Sequence, residues 1–329
     1  MADLRNMTDW NELERILRNR EARRGPQIDQ GAMLAHLRSR VKGQDPILED
    51  VTKLLWQQMA KTGRSAPIAN LLFLGPTGTG KTELAKAIGE FLFGDEKSII
   101  RFDCSEFAGP ESKTRLIGIP TGYVGAERGG QLTRPVIQNP RRLILFDEIE
   151  KAYTEVFDLF LQLMGEARLT EQGSGKTVDF SQCIIILTSN AHAEEILKIQ
   201  RDVGDQHELI NALKGHLVDT RVFRAEILGR IDRVYVFNAL EGMVIAEIAL
   251  LKISKLAKEY GLKVKFVAPD LIVQALEANQ KVSRFGIREL ERILSDMFAS
   301  DFVRAKQGGA SEVTVGVKPD GTPNVKVTP

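Results

Sequence analysis

Eight residues constrain this chain more than any others: Gly75-Pro76-Thr77-Gly78-Thr79-Gly80-Lys81-Thr82. They spell G-x-x-x-x-G-K-T, the pattern of a phosphate-cradling loop. The apolar run Leu71-Leu72-Phe73-Leu74 precedes them and predicts a buried parallel strand. Glu83-Leu84-Ala85-Lys86-Ala87-Ile88 follows with helical spacing. Strand, glycine-rich turn and helix form the context in which the pattern carries meaning. Glycines accept positive φ and let the backbone approach an anion with no Cβ in the way. The turn's amides and the positive helix end then face that anion. Lys81 adds a point charge for β/γ-phosphates, and Thr82 offers a hydroxyl to magnesium.

At 329 residues the chain exceeds one compact core and predicts a large and a smaller domain. Its net charge of +1 gives no global attraction for nucleic acid or an anionic membrane. The two cysteines, Cys104 and Cys183, lie in apolar strand-like runs and read as buried thiols of a reducing compartment. His36, His192, His207 and His216 show no ligand spacing with them, which argues against zinc. Met1-Ala2-Asp3-Leu4-Arg5 lacks the apolar core of a signal peptide, and no apolar run reaches a membrane span. The expected location is cytoplasmic.

Thr8 to Arg20 predicts an amphipathic helix, capped by Asp9, that either packs on the body or docks a partner. A helix is expected from about Pro46 to Lys61. Further buried strands are expected at Ser98–Phe102, Leu143–Phe146, Cys183–Leu187 and Arg233–Phe237, with a helix at Thr154–Met164 and a hairpin around Gly173-Ser174-Gly175. Residues 108–130 read as a long irregular loop, which in a compact domain usually carries function. Strands alternating with helices predict an α/β fold: a parallel sheet with helices on both faces. After Asn238 the pattern changes to helices near 243–260, 269–279 and 287–306 with short strands, a smaller and mainly helical C-terminal domain.

The third strand ends in Asp147-Glu148. After a phosphate loop, such a pair suits magnesium binding by the aspartate and activation of water by the glutamate. Asn190 closes a neighbouring strand and offers an amide to align the same water. Tyr123 sits between glycines in Gly122-Tyr123-Val124-Gly125, on the long loop, with no evident core to enter.

Phe73 to Lys86, Gly122 to Gly125, Gly129-Gly130-Gln131-Leu132-Thr133 and Leu145 to Ala152 resemble the Clp class of AAA+ ATPases. Arg168-Leu169-Thr170, Thr177 to Phe180, Thr188-Ser189-Asn190, Phe223 to Glu226, Arg230-Ile231-Asp232 and Gly286-Ile287-Arg288 continue the resemblance in order. The pattern covers about residues 38–327 and is most like the second ATPase module of ClpB-type disaggregases. The resemblance implies a P-loop AAA+ sheet domain over residues 38–239, a small lid domain over 240–329 and an N-terminal helical extension over 1–37. ATP and magnesium are implied as ligands, held by residues 75–82 with Asp147, Val41 and Ile287. Lys81, Glu148 and Asn190 are implied in hydrolysis. Arg230 matches the arginine finger that reaches a neighbouring subunit, although Gly229 replaces the family's usual Asn. Arg288 matches the sensor-2 arginine.

Tyr123 and Val124 match a pore loop that grips a polypeptide client inside a homo-oligomeric ring, a hexamer. The Gly173–Lys176 hairpin is a weaker candidate for a second ring of contacts. No first ATPase module and no coiled-coil insertion is seen. The segment between Asn190 and Phe223 lacks the Ile-Gly-Leu or Ile-Gly-Phe tripeptide that grips a ClpP-like peptidase, so no such partner is expected. The implied function is ATP-driven protein remodelling by threading. The alternative is an ATP-gated assembly switch or scaffold that acts on a partner complex without pulling; Tyr123 and Glu148 argue against it.

Overall fold

The computed structural model describes residues 28–94, 98–281, 286–318 and 323–327, without the side chains of 279–288 and 326–327. The helix expected at Thr8–Arg20 lies outside the described residues. The chain divides into two compact units: one ends at Gly75 and resumes over Lys81–Phe237, the other comprises Pro76–Gly80 and Asn238–Pro329.

The first unit opens with helices α1 (Gln30–Arg40) and α2 (Asp45–Met59). Strand β1 (Ala69–Leu74) leads through the glycine loop to α3 (Lys81–Phe93), and β2 (Ile99–Asp103) follows. Short helix α4 (Ser112–Ile117) interrupts the region expected to be irregular, and α5 (Thr133–Gln138) follows it. Six-residue helices carry too few turns to leave a periodic signal. Then come β3 (Leu143–Asp147), α6 (Thr154–Glu166), the hairpin β4 (Arg168–Thr170) and β5 (Thr177–Asp179), and β6 (Ile184–Ser189). Helices α7 (Ala193–Asp202), α8 (Gln206–Asp219) and α9 (Ala225–Leu228) precede β7 (Arg233–Val236).

The main sheet has five strands in the order β2-β3-β6-β1-β7, and each neighbouring pair is parallel. Side chains alternate across it. Leu72, Leu74, Ile144, Phe146, Ile185 and Leu187 enter a core with Phe160 and Leu163 of α6 and Leu217 of α8. Leu71, Phe73, Leu143, Leu145, Ile184 and Ile186 enter a second core with Leu37, Val51, Leu84 and Ile88 of α1 to α3. Both faces are covered, which explains why the strands read as continuous apolar runs. Cys104 and Cys183 are buried as expected, but at strand ends; burial pushes both thiols up, Cys183 to about 12.

In the second unit, α10 (Met243–Glu259), α11 (Pro269–Lys281) and α12 (Gly286–Gln307) accompany β8 (Lys263–Val267), β9 (Glu312–Val317) and β10 (Pro323–Val327). The strands form a sheet in the order β10-β9-β8. Ile253, Leu271, Leu294, Phe298, Phe302, Val313 and Val315 make its core. Among the described residues no helix is long and apolar enough to cross a membrane.

Candidate nucleotide site

Parallel register brings the C-terminal ends of β1, β3 and β6 side by side, because β6 pairs with both others. Each end carries a residue singled out from the sequence. Gly75 leaves β1 at φ +134°, and a Cβ there would lie 2.6 Å from the carbonyl oxygen of Phe237. No other residue satisfies both the dihedral and the space. Gly78 and Gly80 also have positive φ, +82° and +102°. Within the turn, the Thr79 hydroxyl donates to the Pro76 carbonyl at 2.9 Å.

Lys81 opens α3 and is 6 % exposed. Its Nζ donates to the Gly75 carbonyl at 2.7 Å. Burial pulls the ammonium down to about 8, although Asp147, Glu150 and Glu148 favour its charged form. A cation desolvated to this degree is electrostatically receptive to an anion. The Thr82 hydroxyl lies 3.3 and 3.2 Å from the two Asp147 carboxylate oxygens. Hydroxyl and carboxylate are the hard oxygen donors that magnesium takes beside a phosphate, so the residues fit a magnesium-bound nucleotide.

Asp147 is itself buried and accepts from Thr188 Oγ1, while Arg101 Nη2 approaches it at 2.7 Å. The Glu148 amide donates to Thr188 Oγ1 at 3.0 Å. Glu148 adopts a left-handed backbone, φ 55° and ψ 53°, which costs a non-glycine residue about 1–2 kcal/mol. The kink turns its side chain toward β6. There Oε1 accepts from Asn190 Nδ2 at 3.0 Å, and Oε2 pairs with Lys151. The Asn190 amide donates to Glu150 Oε1 at 3.1 Å. Thus Lys81, Thr82, Asp147, Glu148 and Asn190 form one continuous polar cluster.

Val41 is buried at the end of α1. The preceding Arg40 pairs with Glu83 at 2.7 Å and with Glu90, both on α3, so residues 41–44 lie beside the loop's helix. Arg230 is not in the cluster. Its carbonyl accepts from Asn70 Nδ2 at 3.1 Å, near the start of β1, and its guanidinium rests on Gly165. The five strand steps from Asn70 to Gly75 span about 17 Å, beyond the reach of one side chain. Ile287 and Arg288 fall in the first turn of α12, and their side chains lie outside the described residues. Tyr123 and Val124 stand on the loop between α4 and α5, 71 % and 99 % exposed. Gly122 and Gly125 flank them at φ +96° and +92°.

Sequence reasoning passed over Thr188, Arg101 and Glu150. Arg101 had a readable signal: a charged residue at the centre of the apolar run Ile99-Ile100-Arg101-Phe102. Thr188 was legible only as part of the Thr188-Ser189-Asn190 segment that closes its strand.

A parallel α/β sheet with a glycine loop after its β1 strand, and two acids ending β3, one strand removed across β6, defines a P-loop nucleotide-binding protein. A family model described as AAA domain (Cdc48 subfamily) matches residues 66–234, and the chain belongs to that family of ATPase domains. It is 38 % identical over 274 residues to the chaperone protein ClpB2, chloroplastic, of Oryza sativa subsp. japonica, covering 82 % of this chain and 28 % of that one. It is 37 % identical over 313 residues to the negative regulator of genetic competence ClpC/MecB of Bacillus subtilis (strain 168), covering 89 % and 37 %. Chaperone protein ClpB of Clostridium tetani is 39 % identical over 286 residues, covering 86 % and 32 %. The similarity is that of a Clp-class AAA+ ATPase, and the chain spans about a third of the length of these relatives.

Proposed function

We propose that this chain hydrolyses ATP at an interface between its own copies and uses the cycle to thread polypeptide clients through a homo-oligomeric ring, a hexamer. The observation that carries the reading is the polar cluster joining Lys81, Thr82, Asp147, Glu148 and Asn190. Lys81 holds the β/γ-phosphates. Thr82 and Asp147 would hold magnesium, which would supply positive charge beside the phosphates. Asn190 and Glu148 share one hydrogen bond, which supports a joint role: the amide aligns a water and the carboxylate accepts its proton. Val41 lines the base.

The position of Arg230 supports action in trans. It sits at the far end of β1 from its own glycine loop, so it serves the nucleotide of an adjacent copy. Arginine fingers of P-loop enzymes are worth roughly 10³–10⁵ in rate. The exposure of Tyr123 and Val124 supports client contact. A tyrosine ring offers a broad amphipathic surface with two torsions to freeze and makes little demand on client sequence.

The experiment is Glu148→Gln. Nucleotide binding persists, hydrolysis falls by about 10²–10⁴-fold, and the particle retains its polypeptide for mass spectrometry. Unchanged hydrolysis in Glu148→Gln removes the assignment.

A further inference from the structure

The structure holds a carboxylate that the hydrolytic cluster does not use. Glu171 is 3 % exposed at the turn between β4 and β5. Its Oε2 accepts from the Ser174 amide at 2.7 Å, and its Oε1 from the Gly173 amide at 3.2 Å. Both donors belong to its own hairpin. The same Oε1 stands against the other segment, the loop that displays Tyr123: a Cβ on Gly129 would lie 3.5 Å from it. These hydrogen bonds hold the carboxyl below its ordinary value despite its burial.

The glycines around Glu171 mark how closely the two segments approach. A Cβ on Gly118 would stand 2.4 Å from Glu171 Oε1, and one on Gly173 would stand 2.2 Å from the Ala126 carbonyl. Within the base of the Tyr123 loop itself, a Cβ on Gly130 would stand 2.2 Å from the Leu116 carbonyl. Backbone bonds complete the seam. The Gln172 amide of the hairpin donates to the Ile117 carbonyl at 2.8 Å, while the Gln131 amide closes the base of the Tyr123 loop on the Arg115 carbonyl at 2.9 Å. The base of the Tyr123 loop and the hairpin are thus joined at several points, with one buried charge among them. Ser174, Gly175 and Lys176 remain exposed at the hairpin tip.

We infer that Glu171 is a positioning residue: its carboxylate fastens the β4–β5 hairpin to the Tyr123 loop, so that Tyr123, Val124 and the Ser174–Lys176 tip form one client-contacting unit. A backbone amide satisfied by a buried carboxylate exchanges only when that bond opens. The loops therefore open together and close together. A polypeptide held against Tyr123 is held against the hairpin tip as well. This rests on the threading reading for its client, but the coupling itself does not.

The test is hydrogen exchange on the full chain with ATP, comparing the unsubstituted protein with Glu171→Gln. Loss of a charge-assisted bond predicts exchange about tenfold or more faster in both segments, residues 118–130 and 172–176. Gly173→Ala separates the same segments at the Ala126 carbonyl while leaving the carboxylate in place, and predicts the same paired release. It stands in if Glu171→Gln does not fold. Faster exchange confined to the hairpin, with 118–130 unchanged, overturns the inference. Paired release in a protein that never contacts polypeptide would leave the coupling intact and refute the threading reading alone. A photo-crosslinker at Ser174 reports that second question separately, through capture of an unfolded casein chain.

Discussion

Lys81 supplies a prediction with a magnitude. In the free protein, burial holds its ammonium near pKa about 8 against an ordinary 10.5. Phosphate oxygens at its side restore at least the ordinary value, because an adjacent anion favours the charged form. Binding therefore takes up a proton wherever the free lysine has lost one. The ratio (1 + 10^(pH − pKa,bound))/(1 + 10^(pH − pKa,free)) sets the relative affinity. With the two values above it falls about tenfold between pH 7 and pH 9. The assay is equilibrium binding of a fluorescent ADP analogue at fixed magnesium across that range, with calorimetry in two buffers to count protons. Lys81→Arg binds more weakly but with a flat profile, since guanidinium stays charged. The folded pKa lies below the unfolded one, so the unfolded chain binds more protons between about pH 8 and 10.5. Nucleotide-free stability thus gains from this group as pH rises through that window. A flat affinity profile in the unsubstituted protein, or an equal slope in Lys81→Arg, refutes the reasoning.

Other expectations follow from single contacts. Thr188→Val removes the hydroxyl that donates to Asp147 and accepts from the Glu148 amide; the orphaned groups cost about 1–3 kcal/mol of stability, read as a lower melting temperature, and turnover falls because Asp147 and Glu148 lose a shared anchor, read by steady-state ATPase. Gly75→Ala forces a Cβ against the Phe237 carbonyl and an unfavourable φ, and nucleotide binding is lost in a filter assay. Lys81→Ala and Arg230→Ala are each inactive alone; mixed in one oligomer they regain turnover, because one copy contributes the intact loop and its neighbour the arginine. No recovery on mixing rejects action in trans.

The sheet was legible because its strands are covered on both faces and read as unbroken apolar runs. Its order was not. Nothing in a run such as Ile184-Ile185-Ile186-Leu187 says that it lies between β3 and β1, yet that placement brings Asn190 to Glu148. The glycine loop and the acid pair announced themselves by spacing. Glu148's left-handed backbone did not, because a glutamate carries no local signal for positive φ. Helices α7 and α8 fall between Asn190 and Phe223, where no element was assigned from sequence. Their amphipathic faces are short, and only Ile196 of α7 is buried. Arg230 was assigned by family resemblance alone; the fold adds that its own glycine loop is out of reach. Glu171 was not singled out from the sequence, since the loop it stands against lies some forty residues earlier in the chain.

The central claim is that hydrolysis in a shared site moves a polypeptide past Tyr123. A photo-crosslinking phenylalanine analogue at position 123, in the Glu148→Gln background with ATP and a labelled unfolded chain, tests it most directly. The account predicts crosslinks from position 123 to that chain within an oligomer, absent with Lys81→Ala. An ATP-bound oligomer that never crosslinks, or a monomer that binds ATP alone, contradicts it.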